Sequence, residues 1–292
     1  PEESTIELGR LPQQAEAALE DFVSRRLPLF GDVQDAMWTG RSFLFHSRLS
    51  AALNLKLLHP LRAVRAAEEA YYRREAPLNA VEGFIRQIIG WREFVRGVYF
   101  HYMPEYADWN ALAAHEPLPP LYWTGESEMS CLREVVQGII SYGYAHHIQR
   151  LMVAGLFALL YAVEPAEFNS WHLAMYIDAF DWVSVPNAIG MTLHADGGTV
   201  GTKPYAATGN YIHRMSNYCR NCPFDPRMAS GEKACPITTL YWTFLERHAA
   251  RFRGNRRMLF QMKNLERKGS EELKAIRSRA DEVRKRASAG RL

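Results

Sequence analysis

Four cysteines are the residues of this sequence whose type and spacing most directly suggest chemistry. Cys219, Cys222 and Cys235 lie within 17 residues as C-x2-C-x12-C, and 87 residues separate Cys131 from Cys219. Four thiolates gathered in space bind either a structural zinc ion or an iron-sulfur cluster, because both take four sulfur ligands. The spacing leaves both open and slightly favours zinc, and Cys131 could equally be a small buried apolar residue.

Two adjacent histidines form a second candidate site. His146 and His147 precede Arg150, and on a helix His146 and Arg150 share one face at i, i+4. Imidazole can act as a general acid, a general base or a metal ligand, although a packed structural histidine is an equally ordinary interpretation. The nearest acids that could complete such a site are Asp178 and Asp181.

Aromatic residues are a third feature, with seven Trp and fourteen Tyr in the chain. Most of these rings should belong to the core. Trp and Tyr also stack on nucleic-acid bases or relay electrons, and composition does not separate these roles from packing.

The elements that position these residues are predicted to be helices. Helical periodicity dominates residues 13–182, and alternating strand patterns are nearly absent, so we expect an all-α fold. Asn79 and Glu82 predict a capping box before an apolar helix face that runs from Val81 to Phe94. Residues 183–210 are rich in Gly and Pro and predict a long functional loop, and residues 271–285 predict an exposed, charged helix.

Length and composition limit the class of protein. The chain has 292 residues, 48% of them hydrophobic, and a formal net charge of +3, which is typical of one or two globular domains and permits a nucleic-acid partner without requiring one. The longest uncharged apolar run, residues 151–163, falls short of the ~20 residues that span a bilayer. It predicts a buried core helix. With no signal peptide in the sequence, we expect the protein to be in the reducing cytoplasm. We also expect a monomer.

Several segments together resemble photolyases and cryptochromes. Residues 45–53 (FHSRLSAAL) and Leu57-Leu58-His59-Pro60 resemble the segment by which that family holds the flavin phosphates, and Gly90-Trp91-Arg92-Glu93-Phe94 resembles its W-R-E-F signature. His146-His147-x-x-Arg150, residues 171–182 and Pro186-Asn187 follow in the family's order. With its four cysteines, the chain from about residue 31 to 268 resembles the bacterial iron-sulfur branch, whose members repair 6-4 photoproducts.

The resemblance implies the FAD-binding helical domain of this family, with a 4Fe-4S cluster, over residues 31–268. Residues 1–30 would form a connecting segment and residues 269–292 a charged C-terminal helix. Relatives also carry an N-terminal α/β domain with an antenna chromophore, often dimethyl ribityl lumazine. The strand and helix pattern of such a domain does not precede Phe45, so the chain resembles the catalytic part alone.

Site roles follow from the same resemblance. The cluster would be ligated by Cys131, Cys219, Cys222 and Cys235. FAD would be held by Ser47, Leu49 and Ser50 near its phosphates, by Arg92, by Arg150 paired with Asp178, and by Asn187 facing the flavin N5. Electrons would reach the flavin through Trp171 and Trp123.

For UV-damaged DNA, the implied lesion pocket contains His146, His147 and Tyr205. The implied phosphate contacts are Lys203, Arg214 and Arg220. Light-excited reduced FAD would give an electron to a flipped-out 6-4 photoproduct while one of the two histidines supplies a proton.

Two other functions remain open on the sequence. A blue-light photoreceptor would keep both cofactors and signal through a partner. An iron-sulfur nucleic-acid-binding module, similar to the C-terminal domain of the primase large subunit, would need the cysteines but not Ser47, Arg92 or Asn187, so the flavin motifs count against it.

Overall fold

The computed structural model describes residues 11–292, and over this range the chain is helical with only isolated β-bridges and no strand. The predicted all-α class is therefore confirmed. The α-helices are α1 (Pro12–Asp21), α2 (Leu27–Val33), α3 (Ser50–Asn54), α4 (Pro60–Tyr72), α5 (Leu78–Ile85), α6 (Glu93–Tyr102), α7 (Leu121–Thr124), α8 (Ser130–Tyr142), α9 (His147–Gln149), α10 (Leu156–Tyr161), α11 (Pro165–Met175), α12 (Asp181–Val185), α13 (Gly209–Met215), α14 (Pro236–Arg247), α15 (Ala249–Arg253), α16 (Leu259–Glu266) and α17 (Ser270–Ser288).

Wider and tighter helical turns connect several of these helices. π-helical turns cover Phe22–Arg26, Arg86–Arg92, Arg150–Gly155 and Pro186–Thr192, and 3-10 turns cover Glu105–Asp108, Tyr218–Asn221 and Arg256–Met258. The π-helical turns join their neighbours without a break, so that α9 and α10, for example, form one continuous helix from His147 to Tyr161.

The N-terminal helices surround a small hydrophobic core of their own. Helices α1, α2, α4 and α5 contribute buried residues, and the alanines at positions 63, 67 and 70 give α4 a narrow apolar face at helical spacing. The expected boundary after residue 30 falls inside α2, and helices α1 and α2 pack in this N-terminal unit. Residues 1–10 of the expected connecting segment lie outside the described residues.

A larger core is built around the helix that ends in α10. Every residue from Leu151 to Val163 is buried, as the apolar run predicts, and α8, α11 and α14 pack in the same hydrophobic cluster. Because this helix is covered on all sides, its run of apolar side chains is explained by burial inside the protein. Within residues 11–292, no helix is long and apolar enough to span a membrane.

The predicted capping box at Asn79 and Glu82 is wrong. Helix α5 begins at Leu78 with Pro77 as its N-cap, and the Asn79 side chain donates to Asp32 at 2.7 Å. Glu82 forms an ion pair with Arg86 one turn later. Proline at the cap already sets an extended entry into the helix, so tertiary partners take over both polar side chains.

The first part of the expected loop is helical. Helix α12 and the turn Pro186–Thr192 carry the helix to residue 192, since proline is tolerated where a turn's N–H has no helical partner. Gly190 lies so close to Tyr106 and Asp196 that a Cβ would clash with both. The irregular part is therefore limited to residues 193–208.

The charged C-terminal helix is not fully exposed. One face of α17 packs on α14 and buries Ile276, Arg279, Ala280 and Val283. Arg279 is 5% exposed and pairs with Glu282 at 2.7 Å while donating to Glu232 O. The prediction of a solvated helix is therefore wrong for this face, because the apolar residues spaced among the charges are enough to anchor it.

Candidate functional site

The main candidate site is a cavity of about 300 Å³ between the two hydrophobic cores, called the large cavity below. Phe30, Leu53 and Phe84 line it from the N-terminal core, and Leu151 and Met191 line it from the larger core. Its volume is at the lower end of the roughly 300–1,000 Å³ of ligand and cofactor sites. The expected residues that line it are Ser47, Leu49, Ser50, Arg92, His146, His147, Arg150, Asp178 and Asn187.

Three π-helical turns shape the cavity wall. Arg92, Arg150 and Asn187 each lie on a different one of these turns. A π-helical turn widens the helix and re-aims its side chains, and such turns occur frequently at functional sites. The local irregularity thus brings polar side chains from three separate helices to one space.

Arg150 and Asp178 form the predicted ion pair. The guanidinium donates to both carboxylate oxygens, at 2.9 and 3.1 Å, and its Nε donates to Ala145 O at 2.6 Å. Ser50 donates its hydroxyl to the same carboxylate. Burial alone would raise the pKa of Asp178, but the charge and hydrogen bonds of Arg150 hold it below its usual value.

His146 lies face to face with a second histidine. Its ring stacks on His46 with centroids 4.3 Å apart and planes 10° apart. His46 is fixed by a hydrogen bond from Nε2 to Gln34 O at 3.0 Å. His146 is 1% exposed, and within residues 11–292 neither of its ring nitrogens has a hydrogen-bond partner.

Both stacked rings are neutral near pH 7. Burial lowers the pKa of His46 to about 4, and burial, with the nearby charges of His46 and His147, lowers the pKa of His146 well below its usual value. An anion bound in the cavity would favour the protonated form of His146 and raise its pKa. His147 is exposed and lines the same cavity.

The donor set of this cavity fits a flavin nucleotide. Buried polar atoms without a hydrogen-bond partner include Arg92 Nε, Ser184 Oγ and both ring nitrogens of His146, all on residues that line the cavity. A buried polar atom without a partner is costly, and a polar ligand in the cavity would satisfy it. The combination of an apolar wall with few convergent donors is typical of cofactor pockets.

A second, much smaller cavity is lined by all four cysteines. Cys131, Cys219, Cys222 and Cys235 surround it, and none is in a disulfide. Burial, followed by the charges of the other three, raises the pKa of Cys131 well above its usual value. Burial also raises the pKa of Cys219 to about 12. These thiols therefore stay protonated unless a cation binds between them.

Four thiols around one cavity are a ligand set that a zinc ion or an iron-sulfur cluster could use. Among the described residues, however, no group of three or more ligating side chains is arranged to hold a metal ion. Gly209 also borders the cavity, where a Cβ would lie 2.8 Å from Cys235 Sγ.

One side chain connects the two cavities. Gln149 Oε1 accepts from the His146 backbone N–H at 3.1 Å, and Gln149 Nε2 donates to the Tyr218 hydroxyl at 3.1 Å. Tyr218 lines the cysteine cavity beside Cys219. The Gln149 amide therefore bridges the wall of one cavity and the wall of the other.

The expected electron relay has one buried and one exposed end. Trp171 is fully buried, donates to Tyr122 O at 3.0 Å, and lies 5.6 Å from the ring of Phe168, which lines the large cavity. Trp123 is 54% exposed. The two tryptophans thus lie at the inside and the outside of the protein, with Tyr122 packed against the first and adjacent to the second along the chain.

The expected DNA contacts lie outside the large cavity. Tyr205 packs on the larger core and does not line the cavity with His146 and His147. Lys203 is partly buried in the irregular segment, and Arg214 and Arg220 are exposed, the latter 5.4 Å from the ring of Trp38.

Several cavity residues were not predicted as site residues. His46 lies inside the segment expected to hold the flavin phosphates, but its stacking partner His146 is 100 residues away. A single sequence carries no signal for such a contact. His172 also lines the cavity, where burial lowers its pKa to about 3.

Comparison with known proteins gives the family. No family model matches the chain. It is 50% identical over 244 residues to the "(6-4) photolyase" of Agrobacterium fabrum (strain C58), a match covering 84% of this chain and 48% of that protein. It is also 30% identical over 112 residues to an uncharacterized protein of Acanthamoeba polyphaga mimivirus, covering 38% of this chain and 84% of that protein.

A solved structure has the same fold. The crystal structure of a bacterial class III photolyase from Agrobacterium tumefaciens superposes with a TM-score of 0.58 at 16% sequence identity, covering 96% of this chain and 55% of that one. The chain spans about half the length of the Agrobacterium fabrum protein. From the 50% sequence identity, with the shared fold, it follows that the chain belongs to the photolyase/cryptochrome family.

Proposed function

We propose that this chain is the catalytic part of a light-driven DNA repair enzyme that acts on the (6-4) photoproduct. The observation that carries the proposal is the large cavity, where the Arg150–Asp178 pair and two histidines converge with buried donors that have no partner. The (6-4) photolyase named above supports the choice of lesion.

In this proposal FAD occupies the large cavity. Ser47 and Leu49 would hold its phosphates, and Arg92 and Asn187 would border its ring system; all four residues line the cavity. Ser50 would contribute through its hydrogen bond to Asp178. When bound and reduced, FAD supplies the electron that light transfers to the lesion. The chain itself would bind and orient the flavin. It would also exclude water, since the cavity wall is largely apolar.

The residues of this chain also handle the proton. His147 lines the cavity and is exposed, so in this proposal it donates a proton to the lesion base as a general acid. Desolvation and the charge of Arg150 lower the pKa of its ring to about 4. The role therefore requires a bound anion, such as a flavin or DNA phosphate, to raise that pKa. His146 lies beneath, held by His46, and supports that position. The Arg150–Asp178 pair fixes the charge beside both histidines.

A direct assay tests the proposal. The reduced protein is incubated under blue light with an oligonucleotide that contains a (6-4) photoproduct, with a cyclobutane dimer substrate and a dark sample as controls. We expect light-dependent loss of the (6-4) lesion. Light-dependent loss of neither lesion would refute repair and leave a photoreceptor role, while loss of the dimer alone would change the lesion assignment.

The proposed 4Fe-4S cluster occupies the cysteine cavity, with Cys131, Cys219, Cys222 and Cys235 as ligands. We expect Cys222→Ala to lose iron, measured by metal analysis and by the visible absorbance of the purified protein, because one of four thiolates is gone. An iron-replete, folded Cys222→Ala protein would contradict the ligand set.

A glycine substitution tests the same cavity without removing a ligand. In Gly209→Ala the new Cβ would lie 2.8 Å from Cys235 Sγ and 3.1 Å from Thr238 Oγ1, so the cavity must distort. We expect reduced iron content. Gly97→Ala in α6 is the matched control, because no atom lies within 4 Å of its Cβ, and it should keep the iron of the unmodified protein. Equal iron in both variants would contradict the expectation.

A further inference from the structure

A strongly basic surface lies outside both cavities, on residues 247–268. Of the 35 Lys and Arg in the chain eight lie in this segment, and of the 32 Asp and Glu only Glu266 does. The other residues therefore hold 27 basic and 31 acidic side chains, so this short segment turns a net negative chain into one of +3. We call its exposed cations, Arg251, Arg253, Arg256, Arg257, Lys263 and Arg267, the basic ridge.

The basic ridge is a fixed surface and not a loose tail. Helices α15 and α16 and the turn between them bury Phe252, Met258, Met262 and Leu265 against the larger core. With its apolar side anchored in this way, the segment presents its cations to solvent on a defined backbone. Side chains held on a packed scaffold can match a ligand at a small cost in entropy.

Most of the ridge's charge is not neutralised by the protein. Arg256, Arg257 and Lys263 form no ion pair with any residue of the range 11–292. Arg253 pairs with Glu266 at 3.6 Å, but both side chains are more than half exposed, so this pair is weak. Such a surface attracts a polyanion.

The ridge is fastened to the irregular segment that carries Lys203 and Tyr205. Asn255 Oδ1 accepts from the Arg257 backbone N–H at 2.9 Å, and Asn255 Nδ2 donates to Thr202 O at 2.9 Å. The ridge thus continues the surface on which Lys203 was predicted to contact phosphate.

We propose that the basic ridge binds the phosphate backbone of duplex DNA, an inference that rests on the proposed repair function. Five of its six cations are arginines, whose planar guanidinium matches two phosphate oxygens at once. The exposed apolar residues of the ridge, Leu259 and Phe260, are adjacent in sequence. Neighbours on a helix do not share a face, so they form no apolar stripe that would favour a membrane.

Salt-dependent binding to a lesion-free duplex of about three helical turns tests the ridge. In Arg256→Gln/Arg257→Gln we expect weaker binding and a log K against log salt slope smaller in magnitude by about 1.8, since each lost phosphate contact changes it by about 0.9. The matched control is Arg65→Gln/Arg73→Gln, in α4 and directly after it, which removes two exposed arginines from the N-terminal unit. Circular dichroism and thermal unfolding establish that both variants are folded.

Each result has a definite meaning. An unchanged affinity and slope for the ridge variant, or an equal loss in the control, would overturn the proposal. If the ridge variant loses binding to anionic phosphatidylserine vesicles but keeps its duplex affinity, the ridge binds a membrane, and the proposal is overturned as well. If the unmodified protein repairs neither lesion but the ridge variant still loses duplex affinity, the ridge stands and the repair function falls.

Discussion

His147→Ala should lower light-driven repair by about 10²- to 10⁴-fold, the usual contribution of a positioned general acid. His147 lines the large cavity and is exposed to it, whereas His146 is buried under its stack with His46. The measurement is kcat for the (6-4) substrate under saturating light. Flavin absorbance should be retained, because the substitution removes no predicted flavin contact.

His115→Ala is the control for this prediction. His115 is exposed, pairs with Glu164 at 2.9 Å and does not line the cavity, so repair by this variant should match the unmodified protein. A wild-type kcat in His147→Ala would show that another residue is the proton donor. His146 would then be tested by the same substitution.

Asp178→Ala should destabilise the protein by about 3–5 kcal/mol, because Arg150 would be left buried without its partner. For a domain of this size the loss corresponds to a fall in Tm of roughly 6–20 °C. Thermal unfolding followed by circular dichroism measures it. Glu69→Ala is the control, since its pair with Arg73 is exposed and contributes at most about 1 kcal/mol.

A double variant distinguishes the loss of the ion pair from a loss of packing. Arg150→Met/Asp178→Leu removes both charges together, and it should recover most of the stability lost in Asp178→Ala, since apolar groups can replace a buried pair at little cost. It should still fail to bind flavin. A double variant as unstable as Asp178→Ala would show that the loss comes from packing.

The ion pair also predicts a pH dependence. The pKa of Asp178 is lower in the folded protein than its ordinary value of 3.8. Its contribution to stability is therefore complete above that value and is lost as the pH falls through the lower, folded-state pKa. Asp178→Asn should remove this acid-side slope from the unfolding free energy, and an identical slope in both proteins would contradict the assignment.

The residues of the large cavity could be predicted where the sequence carries a motif. The HHxxR pattern, Ser47 and Asn187 all reach the cavity because each stands at a fixed place on a helix or helix start. The His46–His146 stack and the contribution of Ser50 to Asp178 could not be predicted, since both depend on how distant helices cross.

The all-α class was easier to predict than the residues at which helices begin or the helix faces that are exposed. The uncharged apolar run from Leu151 to Val163 correctly predicted a buried helix, because a helix that is buried on all sides has apolar residues on every face. The prediction of an exposed helix failed for α17. Ile276 and Val283 are two apolar residues among many charged ones, so the local sequence reads as polar, yet they are enough to pack the helix on α14. The predicted cap of α5 was wrong because Pro77 already starts the helix, and the Asn79 side chain donates to Asp32 from another helix.

The Gln149 amide has a consequence for how the two cavities load. Its oxygen is bound to the His146 backbone and its nitrogen to Tyr218, so neither wall can shift without straining a hydrogen bond to the other. If the proposed flavin and cluster occupy the two cavities, any coupling that passes through Gln149 must be reciprocal. Whatever factor the cluster then adds to flavin affinity, bound flavin adds to the retention of iron.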